Sequence, residues 1–468
     1  MHLRRLLPQW RQFRCCVPKF TAILTTVKKL GSRDIFSVTV MGEELYIAAS
    51  ADDVNSIYKD TKNLDFDAVI VDLLREFGIS KDTLDKLFDA QLSGGRSWMD
   101  RQHDVYREQM HPVGRGNAVA EAIVEQIDRA VQWDRILAPI ALHSPGDTSR
   151  KVSLWKWCAH VLVETSIQAF FGPSFLRLSP GFIADYLRFD EDYWRLKAKY
   201  PKAAATAKEN CVSAIHRWLQ RPALERTDAC WMVAKFEQDF MNMSICDKAQ
   251  LAALLFINIE VINGNAYKSC FWLLAHVLHD QNLLKEIRTE IDQAFLNQSH
   301  AYSSPNITCL LEDCPLLNST YDEVLRYTNN AMGVRLVVSQ TKIGGKTLRP
   351  GRKLLMPYRQ MHLDRDVWGP GAANFDPDRF MRNKSLSRSS SFRPCGGGNG
   401  YCPGRFLARR EVFVFAAIVL RRFELGLLPS SNGGKPKFPD LDESTRTGAI
   451  LSPVAGQDVI LQVQSRTF

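Results

Sequence analysis

The sequence predicts a mainly helical fold with a minor β-sheet, and three observations predict it. Apolar residues recur at helical spacing through most of the chain, as in Leu283, Ile287, Ile291 and Phe295 beside Glu290. Alternating, strand-like patterning is confined to an early hairpin and to a stretch from Thr341 to Pro357. A glycine-rich loop, Arg393-Pro394-Cys395-Gly396-Gly397-Gly398-Asn399-Gly400-Tyr401-Cys402-Pro403-Gly404-Arg405, runs straight into a long apolar helix from about Gly404 to Phe423.

The first element is a basic amphipathic segment, residues 1–33. Leu3, Leu6, Leu7, Trp10 and Phe13 share a helical face, Arg4, Arg5, Arg11 and Arg14 surround it, and no acid precedes Asp34. It reads as a membrane-surface helix interrupted by Pro8; its Arg-rich, acid-poor character equally fits a mitochondrial transit peptide. A solvated tail or a shortened chain start is the plain alternative. Cys15 and Cys16 are candidate acylation sites, and no stretch reaches the ~20 apolar residues of a bilayer span.

The hairpin follows, from Ile35 to Ala48, with its turn expected at Gly42-Glu43-Glu44. Helical patterning then dominates to a long helix from about Lys248 to His279, and the segment from Thr341 to Pro357 is expected to supply later strands of the hairpin's sheet. A Ser-rich loop, Lys384 to Ser391, approaches the cysteine.

Composition excludes some functions. The eleven cysteines are an odd count with no Cys-x-x-Cys metal spacing, the pattern of reduced intracellular thiols; the sequon at Asn306 is then unglycosylated. The net charge of +9 comes from dispersed basic residues without an aromatic-basic platform, so no nucleic-acid partner is expected. Arg405, Arg409, Arg410, Arg421 and Arg422 form one cluster, able to steer an acidic electron donor if they share a face, and ordinary solvated charge if they do not.

In the glycine-rich loop, Cys402 is presented as a single thiol ahead of a helix N-terminus. Close backbone N–H groups and the helix dipole both favour thiolate. Alone, such a loop equally fits a surface turn or a phosphate cradle. Glu323 and Arg326 stand three apart on one helical face, and Arg379 lies downstream in Asn374-Phe375-Asp376-Pro377-Asp378-Arg379-Phe380, with His362, Trp368 and Gly369 between.

Together these motifs resemble the cytochrome P450 family, whose heme-binding signature is aromatic-x-x-Gly-x-x-x-Cys-x-Gly. Gly398, Cys402 and Gly404 match, while Cys395 takes the aromatic position, a change expected to shift the iron's potential. The resemblance covers nearly the whole chain and implies one heme-enclosing domain over residues 34–468, against the length prior of ~150 residues per domain. It implies heme b (iron protoporphyrin IX) ligated through the metal-binding Cys402, with Gly398, Gly404, Arg335 and Arg405 completing the cofactor-binding set. Glu323, Arg326 and Arg379 become a buried structural network. Arg335 is the candidate clamp for a heme propionate. The early Trp-x-x-x-Arg propionate motif is broken, with Gln102 four residues after Trp98; Arg101, His103 and Arg107 are possible substitutes.

On the other side of the heme, the resemblance places Gly264, Asn265 and Ala266, from Ile262-Asn263-Gly264-Asn265-Ala266-Tyr267-Lys268-Ser269, at the catalytic site. Gly264 suits a local opening of the helix. Asn265 and Ala266 replace the family's acid and threonine, the usual means of delivering protons during oxygen activation. Asn265 holding a water, or Tyr267 or Ser269 in a shifted register, would be the substitutes. This spacing resembles the branch of sterol 7-alpha and 12-alpha hydroxylases and prostacyclin synthase, the last of which rearranges an endoperoxide without reductase. The expected activity is monooxygenation of a hydrophobic small molecule using O2 and electrons from NADPH–cytochrome P450 reductase, in fungal secondary metabolism. The alternatives are a redox-neutral heme-thiolate isomerase or dehydratase, and a heme-binding protein without turnover. The pocket is expected from Phe66 to Phe88 and Pro173 to Ala234. The location implied is the cytoplasmic face of the endoplasmic reticulum membrane, peripheral or through an anchor absent from the chain, with a mitochondrial alternative.

Overall fold

The computed structural model describes residues 33–466 except 41, 90, 93–94, 143–147, 198–200, 296–303, 430–433, 435 and 445–447, with backbone alone at 194–197, 201–204 and 399. The basic N-terminal segment, with Cys15 and Cys16, lies outside the described residues.

In chain order the main elements are β1 (Phe36–Val40), β2 (Glu43–Ile47), α1 (Ala51–Lys59), β3 (Leu64–Asp65), α2 (Asp67–Glu76), α3 (Trp98–Met110), α4 (Gly116–Ala130), β4 (Arg150–Ser153), α5 (Leu154–Phe171), α6 (Phe182–Lys197), α7 (Pro201–Leu219), α8 (Lys248–Asn263) and α9 (Ala266–His279). They continue with α10 (Gln281–Asp292), α11 (Pro315–Thr328), β5 (Met332–Val337), β6 (Thr341–Ile343), β7 (Lys346–Leu348), β8 (Lys353–Pro357), α12 (Tyr358–His362), α13 (Arg379–Arg382), α14 (Arg405–Arg422), β9 (Phe423–Leu427) and β10 (Ile460–Ser465). The fold is therefore mainly helical with small sheets.

The largest sheet runs β1-β2-β8-β5-β3, antiparallel except for the parallel pair β2–β8. Two sequence expectations need correction here. Val40 pairs with Glu43, so Glu43 and Glu44 belong to β2 rather than to a turn, and Gly42, at φ +88°, supplies the left-handed backbone that the tight connection needs. The stretch from Thr341 to Pro357 does not all join this sheet: β6 and β7 pair with each other, and β8 alone reaches β2 and β5. Gly344 and Gly345, at φ +54° and +75°, close a two-residue turn that folds β7 back on β6. A further sheet, β4-β10-β9, ties the chain's end to the start of α5.

α9 is the central helix, with Cys270, Phe271, Trp272, Leu273, Leu274 and Ala275 all fully buried, as expected of a helix apolar on every side. The Trp272 indole donates to the Leu451 carbonyl at 2.6 Å. In α10, Leu283, Ile287 and Ile291 face the core, while Phe295 lies just beyond it in a 3₁₀ turn.

The expected single helix from Lys248 to His279 is broken at Gly264-Asn265 into α8 and α9. A Cβ on Gly264 would sit 2.9 Å from both the backbone oxygen and Oε1 of Glu260, so only glycine fits the break. α6 braces both halves. Tyr186 donates to Glu260 Oε2 at 3.1 Å; one turn on, Asp190 pairs with Lys268 at 2.9 Å and accepts from the Tyr267 hydroxyl, with Lys268 and Asp190 both buried. Among the described residues no helix is long and apolar enough to cross a membrane.

Candidate functional site

The cysteine loop is held from three directions. Cys402 N donates to Cys395 O at 3.1 Å, closing the loop on itself. A Cβ on Gly397 would lie 2.4 Å from Arg393 Nη1, and one on Gly398, at φ +63°, 2.5 Å from the Tyr58 ring, so Tyr58 packs where side chains on the loop would stand. α14 starts at Arg405, whose Nη1 donates to Cys402 O at 2.7 Å while its guanidinium lies 4.2 Å from the Tyr401 and Phe406 rings.

The Cys402 thiol is pulled below the usual thiol range, chiefly by the Cys395 thiol beside it, then against burial by the N–H of Gly404, the Arg405 guanidinium and the Arg405 N–H. Cys395 moves the opposite way, raised by the same contact and by burial. The residue in the family's aromatic position thus acts as a proton donor toward Cys402.

Behind the loop, Arg326 Nε and Nη2 donate to the two Glu323 oxygens at 2.7 Å each, and Arg379 Nε donates to the same carboxylate at 3.1 Å. The remaining guanidinium N–H groups reach backbone carbonyls, among them His362 at 2.7 Å, Ala372 at 2.6 Å and Trp368 at 3.0 Å. All three charged groups are buried. A buried ion group is tolerable when each polar atom is matched, and here it is. His362 carries the network to the loop, since its Nε2 accepts from Arg393 N at 2.9 Å. Burial holds His362 neutral, its pKa lowered to about 3, so it is a standing acceptor.

The loop opens on a cavity of about 900 Å³ lined by Cys402, Gly397, Arg335, Ala266 and Ile450 among others. Arg335 lies between the Tyr58 and Phe66 rings, at 5.1 and 4.6 Å, and donates to Val334 O; burial lowers its pKa, and no carboxylate among the described residues forms an ion pair with it. A thiol disposed to ionise, a cation awaiting an acid and a cavity in the size range of cofactor sites fit a heme with its propionates.

Opposite, Asn265 Oδ1 accepts from Ala449 N at 2.7 Å and Ile450 N at 3.0 Å. The carboxamide oxygen proposed to hold a water is instead the anchor of the 449–450 loop. Ala266 and Ser269 line the cavity, but the Ser269 hydroxyl binds the backbone oxygens of Asn265 and Ala266, at 3.0 and 2.9 Å. Tyr267 faces Asp190, away from the cavity lining.

Several expected groups lie elsewhere. The arginine cluster after Cys402 is dispersed: Arg409 pairs with Asp322, Arg421 with Asp292 and the buried Arg422 with Asp128, which leaves Arg405 and Arg410 without a carboxylate partner among the described residues. Helical pitch spreads these positions around α14. Arg107 pairs with Asp104 in solvent and Arg101 turns toward Met243, while His103 lines the cavity. Phe66, Val69, Ile70 and Leu73 line it too, but among the described residues none from 173–234 does, because α6 buries Phe189 and Tyr193 against Phe77 and Phe256. Tyr58, Asn258 and Glu411 were not foreseen. Asn258 is one polar residue in an apolar helical pattern, Tyr58 stands among polar residues of α1 and Glu411 follows Arg409 and Arg410, so sequence does not separate any of them from a surface position.

Residues 268–444 match the family model described as Cytochrome P450. A Cytochrome P450 monooxygenase of Gibberella zeae is 31% identical over 172 residues, 35% of this chain and 33% of that one. Cytochrome P450 monooxygenase poxD of Penicillium oxalicum is 26% identical over 297 residues, 60% of each chain. Cytochrome P450 monooxygenase calL of Penicillium decumbens is 22% identical over 456 residues, 88% of this chain and 83% of that one. The chain thus spans less than two thirds of the first two relatives. The match runs through both the Glu323 helix and the Cys402 loop, so residues 268–444 carry a cytochrome P450 domain match.

Proposed function

We propose that the chain is a heme-thiolate monooxygenase that hydroxylates a hydrophobic small molecule, using O2 and electrons passed from NADPH by a reductase. The carrying observation is Cys402, a buried-loop thiol disposed to ionise at the wall of a large apolar cavity. Bound heme would supply the oxygen-activating chemistry. The chain's own part is to hold and orient: Cys402 offers the ligand sulfur, Cys395 and the N–H groups of Gly404 and Arg405 stabilise its charge, and Arg335 offers a cation to a propionate. Arg405 fixes the loop through the Cys402 carbonyl, and the Glu323–Arg326–Arg379 group keeps it in register. The fungal relatives named as monooxygenases favour a substrate from fungal secondary metabolism; action at the cytoplasmic face of the endoplasmic reticulum membrane is proposed from the family resemblance alone. The test is the ferrous carbon monoxide spectrum of purified protein. A strongly red-shifted Soret band in wild type, lost in Cys402→Ser, supports the proposal; a wild type without that band overturns it.

One observation favours a second reading, redox-neutral rearrangement of an already oxygenated substrate. At the helix break the Asn265 oxygen and the Ser269 hydroxyl are bound to backbone, and Ala266 has no hydroxyl, so no side chain there is poised to deliver a proton. Turnover of a lipid hydroperoxide without NADPH or reductase, alongside no NADPH-dependent product, would select this reading.

A further inference from the structure

We propose that the cavity recognises a lipophilic molecule by an oxygen that accepts a hydrogen bond, a ketone, ester or ether oxygen, and that the Asn258 side-chain amide is the donor. This rests on the heme-pocket assignment of the cavity and names the substrate class it would take.

Asn258 lies on α8 and is fully buried. Its Oδ1 accepts from the Tyr106 hydroxyl of α3. Burial raises the Tyr106 pKa far above its usual value, so the phenol stays protonated and donating. The Tyr106 contact sets the amide with its oxygen toward the phenol and its Nδ2 turned away. Nδ2 has no partner, although Asn258 and Tyr106 both line the cavity. The α8 residues sharing that wall, Leu254, Ile257, Val261 and Ile262, are apolar and offer no acceptor. Buried N–H groups are nearly always matched, and an orphan calls for an explanation. A guest oxygen beside Asn258 satisfies the amide; a guest lacking it leaves the donor unmet. Sites built to hydrogen-bond a ligand reject analogues that cannot, because the site's own polar group is stranded. Tyr106 is here a positioning residue, acting on the guest only through the amide.

The experiment uses the heme-loaded full chain and matched probes: 2-adamantanone against adamantane, and cyclododecanone against cyclododecane, titrated by the optical shift on binding. The quantity read is the hydrocarbon-to-ketone ratio of dissociation constants, compared between variants so that the water solubility of the probes cancels. Asn258→Leu is expected to lower that ratio by about tenfold, and Tyr106→Phe by less, with heme content and the carbon monoxide spectrum unchanged. Asn258→Asp keeps the shape without the N–H, and serves if leucine is not tolerated; it too should lower the ratio. An unchanged ratio, or no binding of any probe to wild type, overturns the inference. So does loss of heme from an Asn258→Leu chain that keeps its fold by circular dichroism, which would assign the amide to a porphyrin carboxylate. Failure of wild type to give the thiolate spectrum defeats the proposed function itself, and is distinguishable from all of these.

Discussion

On the cysteine side of the cavity the charged groups that brace the loop have partners: Glu323, Arg326 and Arg379 are buried together with their N–H groups on named oxygens. On the helix-break side the polar groups nearest the cavity serve the backbone, Asn265 toward residues 449–450 and Ser269 toward its own helix. The cysteine side is built for permanence, the other for shape. A ligand sulfur must be held against its own burial cost in one position, so a dense network suits it. The distal wall must leave room for a guest, and its side chains fix the outline rather than offer reactive groups.

The comparison is tested most severely at Arg326. Arg326→Ala leaves the buried Glu323 carboxylate with Arg379 as its one charged partner among the described residues, and the expected loss is about 3–5 kcal/mol of stability, read by urea unfolding of the purified chain. A loss comparable to a surface substitution would mean that the network is not what braces the loop.

Glu411 is the exception on the cysteine side, a carboxyl on α14 without a charged partner among the described residues, whose pKa burial raises to about 8. An unfolded glutamate ionises at its ordinary value, so from about pH 4.5 to 8 the unfolded state has released a proton that the native state keeps. Stability therefore falls as pH rises through that window, by at most about 1.4 kcal/mol per unit. Glu411→Gln should flatten the decline between pH 5 and 8 in thermal unfolding; parallel profiles for the two proteins would refute the assignment.

Ala266→Thr places a hydroxyl where the cavity wall has none. If the chain is a monooxygenase short of a proton donor, the fraction of NADPH electrons recovered in product should rise by about tenfold, less than the ~10²–10⁴-fold typical of general acid–base catalysis because complete coupling caps the gain. No change would sharpen the comparison in favour of a distal side that needs no proton.

Asn265→Ala removes two N–H···O bonds and is expected to cost about 1–3 kcal/mol. The consequence should be local: faster hydrogen exchange at Ala449 and Ile450 with the Glu323 network unaffected. Protection lost evenly over the chain would show that the two sides are not separable.

Much of this was legible because it is local. Gly398, at φ +63°, encodes a turn that few other residues permit, and Glu323-x-x-Arg326 is a pair set by helical pitch alone. Gly264 announced the helix break. The misreadings arose where partners are far apart in sequence. Nothing near Arg422 indicates Asp128, and nothing near Asn265 indicates Ala449. The 173–234 segment has the composition of a pocket, yet its aromatics face other helices, because composition records how much is buried and not against what. The strands were misassigned where glycine pairs allowed a hairpin to close early.

The Lys268–Asp190 pair carries an evolutionary consequence. Each charge is sealed from water, with Asp190 answered by Lys268 and the Tyr267 hydroxyl, so loss of either alone is severely penalised, while joint replacement by apolar residues of similar volume costs much less, chiefly the stranded Tyr267 hydroxyl. The two positions are therefore epistatic: lineages should drift across this site in paired steps, and a library that varies one residue at a time will score as immutable a pair that the fold can exchange together.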